Sequence, residues 1–259
     1  MKDFTEVEKL RKYRDISLID MGGNRLIAVA CDSTGGIGEK ENDSASAPAE
    51  TVGFYSAQVV LMELISIDAE IISVVNNLCV EMKGYGEKLI EGVRKASESA
   101  GLDGERIING STEENFPVTV TAIGVTAIGI MNKEMFLKRK EPEKGNLIVR
   151  LGSPRVGRDI LESSPNEIMT ADKMIKIKKE IEFIELIPVG SKGSLYEISS
   201  FADSKRLDYK IYDSISEKSF KELEKSGGPS TSAVGIVERE EIEKIERINF
   251  KYEIIGELI

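Results

Sequence analysis

IINGSTEENFPVTVTAIGVTAIG, residues 107–129, joins two stretches with different physics. Asn109 to Asn115 reads as a tight polar turn carrying two hydroxyls and two carboxylates. Val118 to Ile130 is rich in Val, Ile and Thr, whose branched side chains suit a half-buried strand. An acidic turn feeding a core strand can hold carboxylates rigidly, although most such turns are simply solvated.

Working outward, Ile16–Asp20 and Arg25–Asp32 read as strands joined by Met21-Gly22-Gly23-Asn24, a hairpin turn because glycine tolerates positive φ. Each strand carries an aspartate at its C-terminal end, Asp20 and Asp32. The two are either close in space or separate turn caps. Upstream, Thr5–Asp15 has the capping-box arrangement of a short helix, Thr5 with Glu8 three residues on. Residues 33–50, STGGIGEKENDSASAPAE, hold almost no large apolar side chain and are expected to form a long mobile loop. Within it Gly35 and Gly36 are candidates to wrap a phosphate through backbone N–H groups; a plain connector fits the same residues.

Residues 51–69 read as a mostly buried helix with Glu63 inside its apolar stretch, a position that calls for an ion-pair partner, a metal or an outward turn. Ile71–Leu78 follows as a strand, and Gly86–Ala100 as an amphipathic helix ended by Gly101. The order strand, strand, helix, strand, helix, strand predicts a mixed α/β domain. A charged stretch over 132–145 marks the boundary, giving domains 1–135 and 136–259. Beyond it the pattern predicts a strand at Leu147–Gly152, a helical region from Val156, a helix over Thr170–Lys179 and an apolar segment Ile181–Ile187. A helix ends near Phe220–Lys225, and a strand spans Ala233–Val237. Two Gly- and hydroxyl-rich turns, PVGSKGS at 188–194 and SGGPST at 226–231, are either ligand cradles or plain loops.

Composition narrows the chemistry. The chain of 259 residues contains no histidine, which excludes Ser-His-Asp and Cys-His catalysis and imidazole metal ligands. A net charge of −10 disfavours a general nucleic-acid binder. Two cysteines, Cys31 and Cys79, are too few for a disulfide scaffold and are expected as buried free thiols. No apolar run approaches the roughly 20 residues that span a bilayer, and the charged N-terminus lacks a signal-peptide core, so no membrane and a cytoplasmic location are expected.

Three stretches together resemble the ATP-binding superfamily of aminoimidazole ribonucleotide synthetase, selenophosphate synthetase and thiamine-monophosphate kinase. They are LIDMGGNRLIAVACDSTGGIG, TVGFYSAQVVLMELISIDAEIISV and INGSTEENFPVTVTAIGVTAIG. With PVGSKG and KSGGPST in a shortened second half, the chain is most similar to alpha-ribazole kinase of cobalamin salvage. The resemblance implies a two-domain α/β protein with mixed sheets, a homodimer, ATP with Mg²⁺ bound near the dimer interface, and a small nucleoside-like acceptor phosphorylated on its 5′-hydroxyl. It places metal ligands at Asp20, Asp32 and Glu63, with Asp32 also catalytic and Lys192 a second catalytic candidate. Gly35, Gly36, Gly110, Thr112 and Glu114 would position nucleotide or metal, and Lys192, Ser230 and Thr231 the acceptor. The chain departs from the pattern in three places. Met21 follows Asp20 where thiamine-monophosphate kinases carry paired aspartates, Ser111 stands where relatives have an acid, and PVGSKG replaces an aspartate-containing motif.

Overall fold

The computed structural model describes residues 11–259, which divide after Lys138 into two compact units. The expected helix from Thr5 lies largely outside the described residues; where it enters them, Lys12–Tyr13 form strand β1 instead.

In the first unit β2 (Ile16–Asp20) and β3 (Arg25–Gly35) form the expected hairpin, with Gly22 and Gly23 both at positive φ. Strand β3 runs past Asp32 because every residue from Arg25 to Gly35 pairs antiparallel with β8 (Ala122–Asn132). Residues 33–50 are therefore built rather than loose. After β3, β4 (Ile37–Gly38) pairs in parallel with β5 (Ala45–Ser46), and helix α1 (Ala49–Ser66) begins directly after. Then come β6 (Glu70–Leu78), α2 (Glu87–Ser99) and β7 (Ile108–Thr112).

The polar "turn" at 109–115 is thus in good part an edge strand, parallel to β6, and the following strand starts at Ala122 rather than Val118. The sheet order is β1-β2-β3-β8-β6-β7. Along β3 and β8 alternate residues are buried against the helices: Leu26, Ala28 and Ala30 on one strand, Ile123, Val125 and Ala127 on the other. Helix α1 packs on this face and α2 packs on α1, through Leu89, Val93 and Ala96. The helices touch through glycine. A methyl group on Gly53 would lie 1.9 Å from Leu89 O, and one on Gly92 would lie 2.0 Å from Glu50 O.

The second unit holds five antiparallel strands, β9 (Leu147–Gly152), β10 (Phe183–Pro188), β11 (Tyr209–Ile211), β12 (Ser232–Val237) and β13 (Tyr252–Leu258), in the order β10-β12-β9-β13-β11. Its longer helices are α3 (Ala171–Glu180), α4 (Ser194–Lys205) and α5 (Glu217–Leu223). Ile198, Phe201 and Ala202 of α4 close an apolar core with Ile148, Val234 and Ile255. Buried Arg150 of β9 bonds Glu222 at 3.0 Å, Ser219 at 3.2 Å and Glu253 at 2.7 Å, so its charge is matched on every side.

Both cysteines are exposed, contrary to the expectation of buried thiols. Cys31 is on the β3 face away from the helices, and Cys79 sits just beyond the end of β6. An apolar neighbourhood in sequence does not say which face of a strand a residue occupies. Among the described residues no helix is long and apolar enough to cross a membrane.

Candidate functional site

The hairpin decides the fate of the aspartate pair. In antiparallel neighbours the C-terminal ends point in opposite directions. Asp20 is opposite Leu26, so Asp32 lies six residues farther along β3, about 20 Å away at ~3.3 Å per residue. Asp20 caps the turn, accepting from Gly22 N–H at 2.9 Å, and pairs with Lys133 at 2.7 Å.

Glu63 is held by Arg14 at 3.2 Å, and Arg14 also bonds Ser66. Helix α1 runs from Ser56, 2.8 Å from Thr34, to Leu64, beside Gly129 and hence near Ala28, so Glu63 lies down the sheet from Asp32. The carboxylates Asp20, Asp32 and Glu63 are not brought together. Among the described residues no three acidic or cysteine side chains converge as metal ligands. The donor set does not fit a protein-held Mg²⁺, and no step is routed through one.

At the Asp32 end of the sheet other candidates do gather. Register places Asp32, Val125, Asn76 and Gly110 in one row across four strands, and Thr34, Ile123, Leu78 and Thr112 in another two residues on. Asp32 shares its β3 face with Thr34, and burial pushes its carboxyl above the usual range against the opposing Ser33 N–H. A carboxylate whose pKa is raised is a stronger base than a free one.

Gly36 does not offer its N–H outward; it donates to Thr121 O at 2.9 Å. Gly110 is required by close approach, since a methyl there would meet Asn76 O at 2.1 Å. Glu114 accepts from Met82 N–H at 3.2 Å, fastening the next loop.

The residues that sequence reasoning missed centre on Asp43. Its carboxylate accepts from Thr121 N–H and Thr121 Oγ1, both at 2.7 Å, and from Lys40 N–H at 2.8 Å. Burial alone would raise its pKa, but these bonds and the Lys40 charge hold it below the ordinary value. Tyr85 Oη lies 2.6 Å from Thr121 Oγ1 and accepts from Glu39 N–H at 2.9 Å. Gly38 is bare because a methyl there would meet both hydroxyl oxygens at 2.3 Å. Lys40 reaches Glu81 at 2.7 Å and holds that carboxyl below its ordinary value. Asp43 and Thr121 are 78 positions apart, and no local pattern announces such a pair. The buried Asn76 does leave a trace, as a polar residue inside an apolar strand.

In the second unit three loops meet. Thr231 Oγ1 accepts from Arg155 N–H at 2.8 Å, and Gly227 N–H donates to Gly190 O at 3.0 Å. Ser230 and Thr231 are both buried, and Thr231 works as the clasp between loops. Lys192 is exposed, 3.1 Å from Tyr196 Oη and stacked over its ring at 4.2 Å.

No protein-family model and no curated protein matches the sequence. Solved structures do match. Thiamine monophosphate kinase from Aquifex aeolicus superposes with a TM-score of 0.65 at 16% identity, covering 98% of this chain and 91% of that one. Thiamine-monophosphate kinase from Stenotrophomonas maltophilia K279a gives 0.60 at 14%, covering 100% and 94%. T. maritima PurL complexed with AMPPCP gives 0.64 at 16%, covering 98% of this chain and 43% of that one, so the chain spans less than half of PurL. The chain has the mixed α/β fold of the aminoimidazole ribonucleotide synthetase-like proteins across almost its full length.

Proposed function

We propose that the protein is an ATP-dependent phosphotransferase acting on a small nucleoside-like acceptor, with the 5′-hydroxyl of alpha-ribazole as the named target and thiamine monophosphate as the alternative. The observation that carries this reading is one of length: the likeness is end to end with thiamine monophosphate kinase and partial with PurL. It supports the kinase branch over the synthetase branch. In this reading Asp32 takes the proton from the acceptor hydroxyl, and the Asp43–Thr121–Tyr85 network holds the loop beside it in place. Incubation with ATP, Mg²⁺ and alpha-ribazole, followed by mass, should show a phosphorylated product. No product, together with no ADP from thiamine monophosphate, sinks the reading.

The dispersal of Asp20, Asp32 and Glu63 favours a second reading, nucleotide binding without turnover. Calorimetric binding of ATP with no ADP released over a panel of acceptors selects it.

We propose the sheet face away from α1 as the contact surface of the homodimer that the resemblance implies. On the sheet face away from α1, register aligns Ile19, Ile27 and Ile130 in one row, and Val29 beside Ile128 in the next. A shallow hollow of about 430 Å³ at its hairpin end is lined by Met21, Arg25, Ile27 and Ile130. The isoleucines at the hairpin end and the Val29–Ile128 pair give this face an apolar patch, bordered by Ser17 and Ser73 in the Val29 row and by Arg25 and Glu70 at strand starts, a pattern suited to an isologous contact with a second copy. Ile130→Lys is expected to give a monomer by light scattering. In the wild type Cys31, on this face, should react with a thiol reagent more slowly than Cys79. A wild type that is itself monomeric, with both thiols equally fast, removes the dimer.

A further inference from the structure

Among the large apolar side chains of the described residues, Phe116 is the most exposed, at 76%. Single exposed apolar residues are ordinary on a protein surface. The setting of Phe116 is different. It stands on the loop from β7 to β8, residues 113–121, with Pro117 and Val120 exposed beside it. Thr112 and Ile123, at the two feet of this loop, lie in one row of the sheet with Leu78 between them. The feet are therefore about 10 Å apart, at ~4.8 Å per strand, and the loop is longer than that gap requires. It stands off the end of the sheet, the same end that carries Asp32 and Thr34.

A loose loop could turn its apolar middle inward, but this one is fastened on both sides. Toward β7, Glu113 N–H donates to Leu78 O at 3.0 Å and Glu114 accepts from Met82 N–H at 3.2 Å. Toward β8, Thr119 O accepts from Asn42 N–H at 2.9 Å, and Thr121 N–H donates to Asp43 at 2.7 Å. Pro117 restricts the backbone of Phe116 to extended conformations. Size decides what such a held-out ring fits. A phenylalanine buries about 150–250 Å², whereas a stable protein partner covers roughly 800 Å² on each side. A flat small molecule matches the first figure, and aromatic faces hold planar heterocycles by stacking.

We propose that Phe116 is a stacking platform for the planar heteroaromatic ring of the acceptor, and so helps to set which acceptors the protein takes. This deepens the phosphotransferase reading and rests on it for its biological role. The probe for the ring alone is benzimidazole, with ribose as the control, each titrated into the full chain and followed by ligand-observed NMR. The wild type should bind benzimidazole and not ribose. Phe116→Ala, on the surface, should melt as the wild type does and bind benzimidazole roughly 5- to 150-fold more weakly, the worth of one stacked base. Phe116→Tyr keeps the aromatic face and should bind like the wild type; Phe116→Leu keeps only apolar bulk and should resemble alanine. In turnover, Phe116→Ala should raise the acceptor KM with kcat unchanged, the mark of a contact made equally in ground and transition states.

A wild type blind to benzimidazole, or an unchanged affinity in Phe116→Ala or Phe116→Leu, overturns the proposal. So does a Phe116→Ala protein that changes its oligomeric state and not its ring binding, which assigns the side chain to a second copy. Ring binding lost in Phe116→Ala while no acceptor is phosphorylated sinks only the kinase reading. Turnover with the acceptor KM unchanged in Phe116→Ala sinks only the platform.

Discussion

Asp32→Asn is expected to yield a protein that melts higher at neutral pH and has lost most of its turnover. The two effects share one cause. Burial raises the Asp32 carboxyl above its ordinary value, so the folded state prefers it protonated. The stability contributed by that proton is fully present below the unfolded pKa, near 3.8, and is lost as pH rises through the raised folded value. At pH 7 the wild type carries a half-buried charge that asparagine removes. The melting advantage of Asp32→Asn should therefore be clear at pH 7 and shrink on acidification. Turnover should fall roughly 10²- to 10⁴-fold, the range for removing a positioned base. A variant with wild-type turnover and no melting advantage would remove Asp32 from the site and contradict the burial argument together.

The second large effect is structural. Gly53→Ala and Gly92→Ala each put a methyl group into backbone, at 1.9 Å from Leu89 O and 2.0 Å from Glu50 O. Alanine in a helix is otherwise better than glycine by up to about 1 kcal/mol. Overpacking typically costs 1–3 kcal/mol and occasionally more, and here the obstacle is a helix backbone that cannot swing aside as a side chain would. The clash wins: a net loss of about 2 kcal/mol or more is expected, lowering the melting temperature by roughly 4–8 °C. Gly84→Ala, at φ +81° with nothing within 4 Å, tests backbone strain alone and should cost less. Equal melting of Gly53→Ala and wild type would mean that α1 and α2 do not approach as closely as described.

Much of the element order could be read directly because it rests on local periodicity. The β2–β3 hairpin, α1, β6, α2 with Gly101 beyond it, β9, α3 and β12 lie where alternation, helical spacing and turn residues put them. What failed was information of longer range. Strand β7 looks like a turn in the sequence because an exposed edge strand has no apolar face to reveal it. Residues 33–50 look loose in the sequence because the groups pinning them, Thr119 and Thr121, are far away along the chain. The aspartates at two strand ends looked like a pair because spacing gives the distance along the chain, whereas pairing direction decides the distance in space.

One consequence follows from β8. It enters the sheet between β3 and β6, and its partners on β3 are between 87 (Gly35↔Ala122) and 107 (Arg25↔Asn132) positions away. Until it inserts, two inner strands stand with unpaired backbone along their length. Contacts of such separation close late and slow the search for the native state, and raw strand edges are templates for intermolecular pairing. The first unit should therefore refold through a slow, concentration-sensitive phase set by the arrival of one strand. The same insertion makes β8 the strand on which its two halves of sheet are locked together.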